Sequence, residues 1–504
     1  VTTANIASHL PAMAALDPGR PALIAPHRGG WRSLSFGELD ALSDTYARGL
    51  TASGIGRGVR TVLMVPPSLE FFPLVFGLFK AGAVMVLIDP GIGRRRLLGC
   101  LEEVGPEAFI GVPRAHLARL LFPRPFRTVK ALVTVGPRLL WGGQTTASLF
   151  QAGGSGASGP FATVEPAPGE TAAILFTSGS TGIPKGVVYS HEMFDAQVRS
   201  IRALYGIAPG EIDLATFPLF ALFDPALGMT AVLPEMDFRF PARADPARLL
   251  AALEQHRCTS MFGSPALLDA FGRWAAARGV TVPTLRRVLC AGAPVRTDVL
   301  ERMVAVLPPE AQVFTPFGAT ESLPVASIGS REVLEDTSRG AATGKGVCVG
   351  RPVPEALVRI IRITEEPIAE WSDELLAPPG TVGEITVRGP AVTREYDRRP
   401  EQTRLAKIRE RDAVVHRMGD LGCFDAEGRL WMCGRKSHRV QGPGRTWFTV
   451  PVEEILNQHP EVKRTALVGL GAPGVQRPVV LVEREPGGAS SDAALLAALA
   501  RLAG

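Results

Sequence analysis

Residues 172–191 read AAILFTSGSTGIPKGVVYSH. The apolar run from Ala172 to Phe176 reads as a buried strand. It feeds a loop, Thr177-Ser178-Gly179-Ser180-Thr181-Gly182, which continues through Ile183, Pro184, Lys185 and Gly186 into a second apolar run. Four hydroxyls and two glycines in six residues make this loop dense in donors. Glycine tolerates positive φ and close backbone approach, so successive N–H groups can converge on an anion. Lys185 adds a mobile positive charge suited to phosphate. The spacing is not that of the Walker loop, where GxxxxGK is followed by Ser or Thr; here Gly186 follows Lys185. Only seven of the 54 basic residues are lysine, so a lysine inside a glycine-rich loop stands out from the composition.

Working outward, helical periodicity alternates with short β-branched runs. Residues 38–54, ELDALSDTYARGLTASG, predict an amphipathic helix ending at glycine. Residues 59–67 predict a buried strand stopped by proline, and FFPLVFGLFKAGAVMVLIDP repeats the helix-to-strand step. Such alternation predicts an α/β class with largely parallel sheets. Residues 151–170 are rich in Gly, Ser and Pro and read as a surface connection, while 382–389 and 428–434 read as short strands. After Gly434 the chain turns polar and glycine-rich. We therefore expect a large domain over 1–434 and a small, apparently incomplete α+β domain over 435–504.

Composition narrows the function classes. A chain of 504 residues exceeds the usual single-core limit. The formal charge of +5 is close to balance over this length. Like charges occur only in short runs such as Arg94-Arg95-Arg96, so no nucleic-acid partner is expected. The six cysteines form no CxxC pair and have no zinc-ligand spacing, which fits a reducing, cytoplasmic setting. The apolar stretch 71–88 is interrupted by Pro73, Gly77, Lys80 and Gly82, so no transmembrane segment is expected. Two motifs are set aside. Gly469 to Gly474 fits GxGxxG, but a strand-like run follows where a dinucleotide site needs a helix. His191 has no identifiable carboxylate or serine partner and reads as structural.

TSGSTGIPKG resembles the phosphate loop of the adenylate-forming superfamily, which includes acyl-CoA ligases, nonribosomal-peptide adenylation domains, firefly-type luciferases and β-lactone synthetases. Other segments follow in register. FTPFGATES (314–322) is similar to the aromatic-Gly-x-Thr-Glu motif. The resemblance implies that Phe317, Gly318 and Ala319 lie near the nucleotide, that Thr320 touches phosphate, and that Glu321 helps to hold Mg²⁺. A carboxylate suits a cation that takes a few carboxylate and phosphate oxygens and keeps several waters. Gly292, Ala293 and Pro294 resemble the adenine-contacting segment. In MGDLGCFDAEGRLWMCGRK (418–436), Asp420 stands where the family binds ribose hydroxyls and Arg435 where it assists; Tyr396 occupies the usual tyrosine position. The implied reaction is carboxylate plus ATP, with Mg²⁺ as cofactor, giving acyl-AMP and pyrophosphate.

Departures from the family pattern bear on the second step. Where many members carry a histidine by the acyl tunnel, Ala221 stands, within an apolar segment holding Phe220, Phe223 and Gly228. At the hinge, Ser437 and His438 replace the usual Asp or Lys, and residues 441–448 do not match the spacing that helps form a thiol-entry tunnel, which weakens the case for CoA. No lysine follows Lys463, so the late catalytic lysine has no counterpart. PLFALFDPALGM with GRKSHRV most resembles the β-lactone synthetases of bacterial long-chain olefin biosynthesis. That implies a β-hydroxy acid substrate whose hydroxyl closes the ring, with other olefin-pathway enzymes as partners. A medium- or long-chain acyl-CoA ligase and a non-catalytic nucleotide-binding scaffold are the alternatives. Replacing Lys185 by alanine is expected to lower pyrophosphate release about 10²–10³-fold, the usual cost of removing one preorganised charge-stabilising donor; unchanged release would remove Lys185 from the chemistry.

Overall fold

The computed structural model describes residues 4–154, 159–176 and 184–503. They divide into two compact units. The first comprises residues 1–292, 302–311 and 393–403, and the second 293–301, 312–392 and 404–504. The expected boundary near 434 falls inside the second unit.

The first unit is α/β. One of its sheets has seven strands, in the order Gln144–Thr145, Ala131–Thr134, Ala108–Gly111, Arg60–Met64, Val84–Leu87, Thr171–Phe176 and Gly186–Ser190. All neighbours are parallel except the last pair. A further set runs in the order Arg287–Cys290, Ser260–Gly263, Ile212–Ala215, Thr230–Val232 and Pro21–His27, all parallel, and ends on the antiparallel Gly30–Ser35. The central strands, such as Ala108–Gly111, Thr230–Val232 and Ser260–Gly263, are buried on both faces, which is why they read as short apolar runs.

The helix expected over 38–54 is Phe36–Ala52, and it begins two residues earlier because Ser35 and Glu38 form a capping box. The helix Phe71–Lys80 is buried along its whole length. Pro73 lies in its first turn, where a missing N–H costs little. Lys80 is 1% exposed, and its Nζ meets Asp40 Oδ1 and Asp44 Oδ1, each at 2.5 Å. No helix among the described residues is long and apolar enough to cross a membrane.

The second unit is α+β. Its main sheet runs Leu357–Ile361, Gly383–Arg388, Ala413–Phe424, Leu430–Arg435, Val347–Pro352, Ser322–Gly329 and Gln312–Ala319, with Lys407–Glu410 pairing onto Ala413–Phe424. Neighbouring strands are antiparallel. Two ribbons, Val440–Gly442 with Arg445–Trp447 and Val462–Leu470 with Arg477–Arg484, follow. The second ribbon carries the GxGxxG string in its turn and returns as a strand, so no dinucleotide-binding βαβ unit forms there. Leu456, Val462, Leu495 and Leu499 make a core of their own in this final stretch.

In the first unit Arg287 and Glu211 form a bidentate pair, 7% and 5% exposed, beside the buried carboxyl of Asp213. Arg287→Ala is expected to cost about 3–5 kcal/mol, measured by urea denaturation, because it strands buried acid without its counter-charge.

Candidate active site

The strand Thr171–Phe176 runs parallel to its neighbour Val84–Leu87, so its chain leaves at the carboxyl edge of the sheet. Ligands of open α/β sheets gather at that edge. Thr177, Ser178, Gly179, Ser180, Thr181 and Gly182 lie outside the described residues. Lys185 stands just beyond them, before the strand Gly186–Ser190, with its Nζ 4.3 Å from the centroid of the Tyr396 ring. A cation over a phenol face is held by the ring quadrupole.

Tyr396 is itself fixed by three backbone contacts. Val187 and Tyr396 bridge as an isolated antiparallel pair. The Val188 N–H donates to the Glu395 carbonyl at 3.3 Å, and the Asp397 N–H to the Gly186 carbonyl at 2.7 Å. Arg60 clamps the Asp397 carboxylate through both terminal nitrogens, at 2.8 and 3.0 Å. Arg60 and Asp397 carried no motif, and their 337-residue separation leaves no local sequence signal.

In the second unit, Ala319 pairs with Ser322, so Thr320 and Glu321 form the two-residue turn of a hairpin. Gly318 precedes that turn; a Cβ there would lie 2.7 Å from both the Ser322 carbonyl oxygen and Leu323 Cδ1, so the close backbone approach requires glycine. Phe317 packs against the core that includes Val325 and Ile385. The Glu321 carboxylate is 8% exposed.

Asp420 and Arg435 are direct partners across adjacent strands, with Arg435 Nε 3.1 Å from Asp420 Oδ1. Burial pushes the Asp420 carboxyl up to about 6, against the pull of Arg435, and the negative charges of Glu321 and Glu384 add to the rise. The hairpin glutamate and the strand aspartate are therefore electrostatic neighbours. Glu384, 1% exposed, is met by Arg417 Nη2 at 2.6 Å and by Lys436 Nζ at 3.0 Å. Lys436 opens the short turn Lys436–His438, on which Ser437 is exposed. Gly292 follows the strand Arg287–Cys290 with φ +102° and open space where a Cβ would stand, and Ala293 and Pro294 are exposed.

The apolar segment of the first unit is an aromatic cluster. Phe220 stacks on Phe262, centroids 4.1 Å apart, and Phe217 lies 5.8 Å from Phe220. Phe223 is 6.4 Å from Phe220 and 6.3 Å from Phe194. Ala221 is buried. Gly228 caps the helix Phe223–Leu227 at φ +80°, with Met13 Sδ only 2.8 Å from where a Cβ would be. His191 is depressed to about 4 by burial, and its Nδ1 accepts from the Ile6 N–H at 3.2 Å. That amide contact and its burial give His191 a structural place.

The described residues hold no cluster of three His, Cys, Asp or Glu side chains able to bind a metal. A single buried carboxylate at a turn nevertheless fits Mg²⁺, which is commonly held by one or two carboxylates together with substrate phosphates.

Comparison with known proteins follows the same line. The AMP-binding enzyme model matches residues 10–397. The chain is 50% identical over 502 residues to the olefin beta-lactone synthetase of Xanthomonas campestris pv. campestris, covering 97% of this chain and 89% of the relative. The olefin beta-lactone synthetase of Stenotrophomonas maltophilia matches with the same identity and coverage. Among solved structures, the amide bond synthetase McbA from Marinactinospora thermotolerans superposes with a TM-score of 0.78 at 25% identity, covering 98% of this chain and 92% of that one. The chain belongs to the AMP-binding enzyme family, the adenylate-forming ligases. It carries out ATP-dependent acyl-adenylate chemistry with Mg²⁺ on a small-molecule substrate that bears a carboxylic acid.

The raised Asp420 carboxyl has a consequence for stability. Its folded value of about 6 exceeds the unfolded value near 3.9, so the folded state holds the proton more tightly. That contribution is complete below about pH 4 and is lost as pH rises through 6. Asp420→Asn lacks this loss. Urea denaturation of both proteins at pH 5 and pH 8 is expected to show the wild type falling relative to the variant by about 1–3 kcal/mol.

Proposed function

We propose that the chain converts a long-chain β-hydroxy acid to a β-lactone, AMP and pyrophosphate by way of an acyl-AMP. The observation that carries this reading is the 50% identity, over nearly the whole chain, to two olefin beta-lactone synthetases. The aromatic cluster around Phe220 and Phe223, with Ala221 in place of a larger polar side chain, supports an apolar acyl substrate.

In this scheme Lys185 and the donor-rich loop over Thr177–Gly182 neutralise phosphate charge as the substrate carboxylate attacks the α-phosphorus in line. The work is positioning and electrostatics rather than covalent catalysis. Asp420 accepts the ribose hydroxyls, with Arg435 orienting its carboxylate and holding it ionised against the cost of burial. Gly292, Ala293, Pro294, Phe317, Gly318 and Ala319 bound the adenine side, and Thr320 meets phosphate. Glu321 would hold Mg²⁺, whose bound charge screens the phosphate oxygens. AMP is then the leaving group when the substrate's own hydroxyl attacks the activated carbonyl. A well-oriented intramolecular nucleophile has an effective molarity of roughly 10⁵ M or more, which offsets ring strain without a third substrate.

Residues 435–504 act in this reading as a small mobile domain turning near Ser437. Their separate core around Leu456 and Leu495 supports that. Enzymes that supply the hydroxy acid and consume the lactone are the implied partners.

The test is a product assay by mass spectrometry and NMR with the protein, MgATP and a long-chain β-hydroxy acid, with and without CoA. β-Lactone and AMP are expected without CoA. A thioester formed only with CoA would replace this reading with that of an acyl-CoA ligase.

A further inference from the structure

We propose that a basic, leucine-bearing face of the first unit docks on the surface of an anionic lipid bilayer. From Ala108 to Val164 the sequence contains no Asp or Glu, yet it carries Arg114, Arg119, Arg124, Arg127, Lys130 and Arg138. The structure gives this bias a surface. The helix Pro113–Leu121 turns Leu117, Leu120 and Leu121 outward, 54%, 48% and 66% exposed. Their i, i+3, i+4 spacing puts them on one helical face. A nearby loop adds Leu139, 62% exposed, and Leu140, fully exposed.

Loop and helix form one face. The Trp141 ring stacks on His116 of the helix, centroids 5.1 Å apart and planes 6° from parallel. Trp141 is locked in turn by its Nε1–H, which donates to Thr134 Oγ1 at 2.9 Å. The loop therefore presents Leu139 and Leu140 from a fixed base.

The arginine run at 94–96 belongs to the same face. It opens the helix Arg94–Val104, where three cations meet the positive end of the helix dipole, an unfavourable placement for the helix itself. The Arg94 guanidinium lies 5.6 Å from the centroid of the Phe122 ring, which follows the leucine-bearing helix directly. Arg95, Arg96, Arg127 and Lys130 are all exposed. Two acids answer part of this charge: Glu102 pairs with Arg124 at 2.8 Å, and Asp237 lies in the field of Arg114.

Exposed leucines within a rim of arginine and lysine are the chemistry of an interfacial anchor: apolar side chains enter the acyl boundary while the cations meet anionic headgroups. The helix has nine residues, far too few to span. A nucleic-acid groove would meet phosphates with cations but has no use for the outward leucines Leu117, Leu120, Leu121, Leu139 and Leu140. A bilayer also suits the proposed reaction, because a long-chain acid and its lactone both partition from water into lipid. The docking itself is tested without substrate, so its failure and the failure of the lactone reading are separate results.

The experiment is sedimentation of the full chain with vesicles of phosphatidylcholine alone and of phosphatidylcholine mixed with phosphatidylglycerol. Binding to the mixed vesicles is expected, and it should fall as salt is raised. The pairs Leu139→Ser/Leu140→Ser and Arg95→Gln/Arg96→Gln should each weaken it about tenfold or more. Pyrophosphate release with a water-soluble short-chain acid should be unchanged in both, showing that they fold. Absence of binding to the mixed vesicles, equal binding to neutral ones, or full binding by both variants would overturn the proposal. Leucine-dependent self-association in solution without vesicle binding would overturn it in favour of a second copy of the chain.

Discussion

A charge removed from water must be met by an opposite charge, and three buried clusters among the described residues obey that constraint. Lys80 is enclosed with Asp40 and Asp44, Arg287 with Glu211, and Arg417 and Lys436 with Glu384. None of these contacts is worth much as simple attraction, since desolvation cancels most of the Coulombic gain. Their effect is on register: a half-made pair is costly, so the strands and helices that carry the partners have one acceptable alignment. The pair formed by Asp420 and Arg435 obeys the same rule less completely. One arginine, itself partly exposed, does not fully compensate the burial of the aspartate, and the carboxyl stays raised to about 6.

Much of this was legible in the sequence, and the reason is local. The strands Thr171–Phe176 and Gly186–Ser190, the hairpin at 317–322 and the strand pair at 420–435 are each built from a short stretch of sequence. Their residue types are dictated by neighbours a few positions away: Gly318 has no room for a Cβ because Ser322 and Leu323 fold back on it. Helix boundaries were legible to within two residues where a cap marked them, as at Ser35 and Glu38. What stayed hidden was every interaction between distant segments. Arg60 and Asp397, or Glu384 and Lys436, have no common pattern because nothing in their local sequence requires the other. The compact units also cross the chain order, with residues 393–403 belonging to the first and 293–301 to the second. A composition shift near Gly434 has no means of reporting such an exchange.

The site residues divide by physical role. Lys185 offers a point charge on a flexible stem, held over a tyrosine face. Asp420 offers the reverse, a carboxylate fixed by one strand partner. The aromatic cluster near Phe220 offers area without polarity, which in the proposed scheme receives the acyl chain.

The enclosure of Lys80 also bears on how the chain is made. Asp40 and Asp44 precede it by 40 and 36 residues, so both acids leave the ribosome before the lysine that they neutralise. Both acids lie on the helix Phe36–Ala52, so the otherwise apolar segment Phe71–Lys80 is made after the carboxylates it will meet. A stretch hydrophobic enough to seek lipid is thus supplied, in order of synthesis, with a polar reason to stay in the protein.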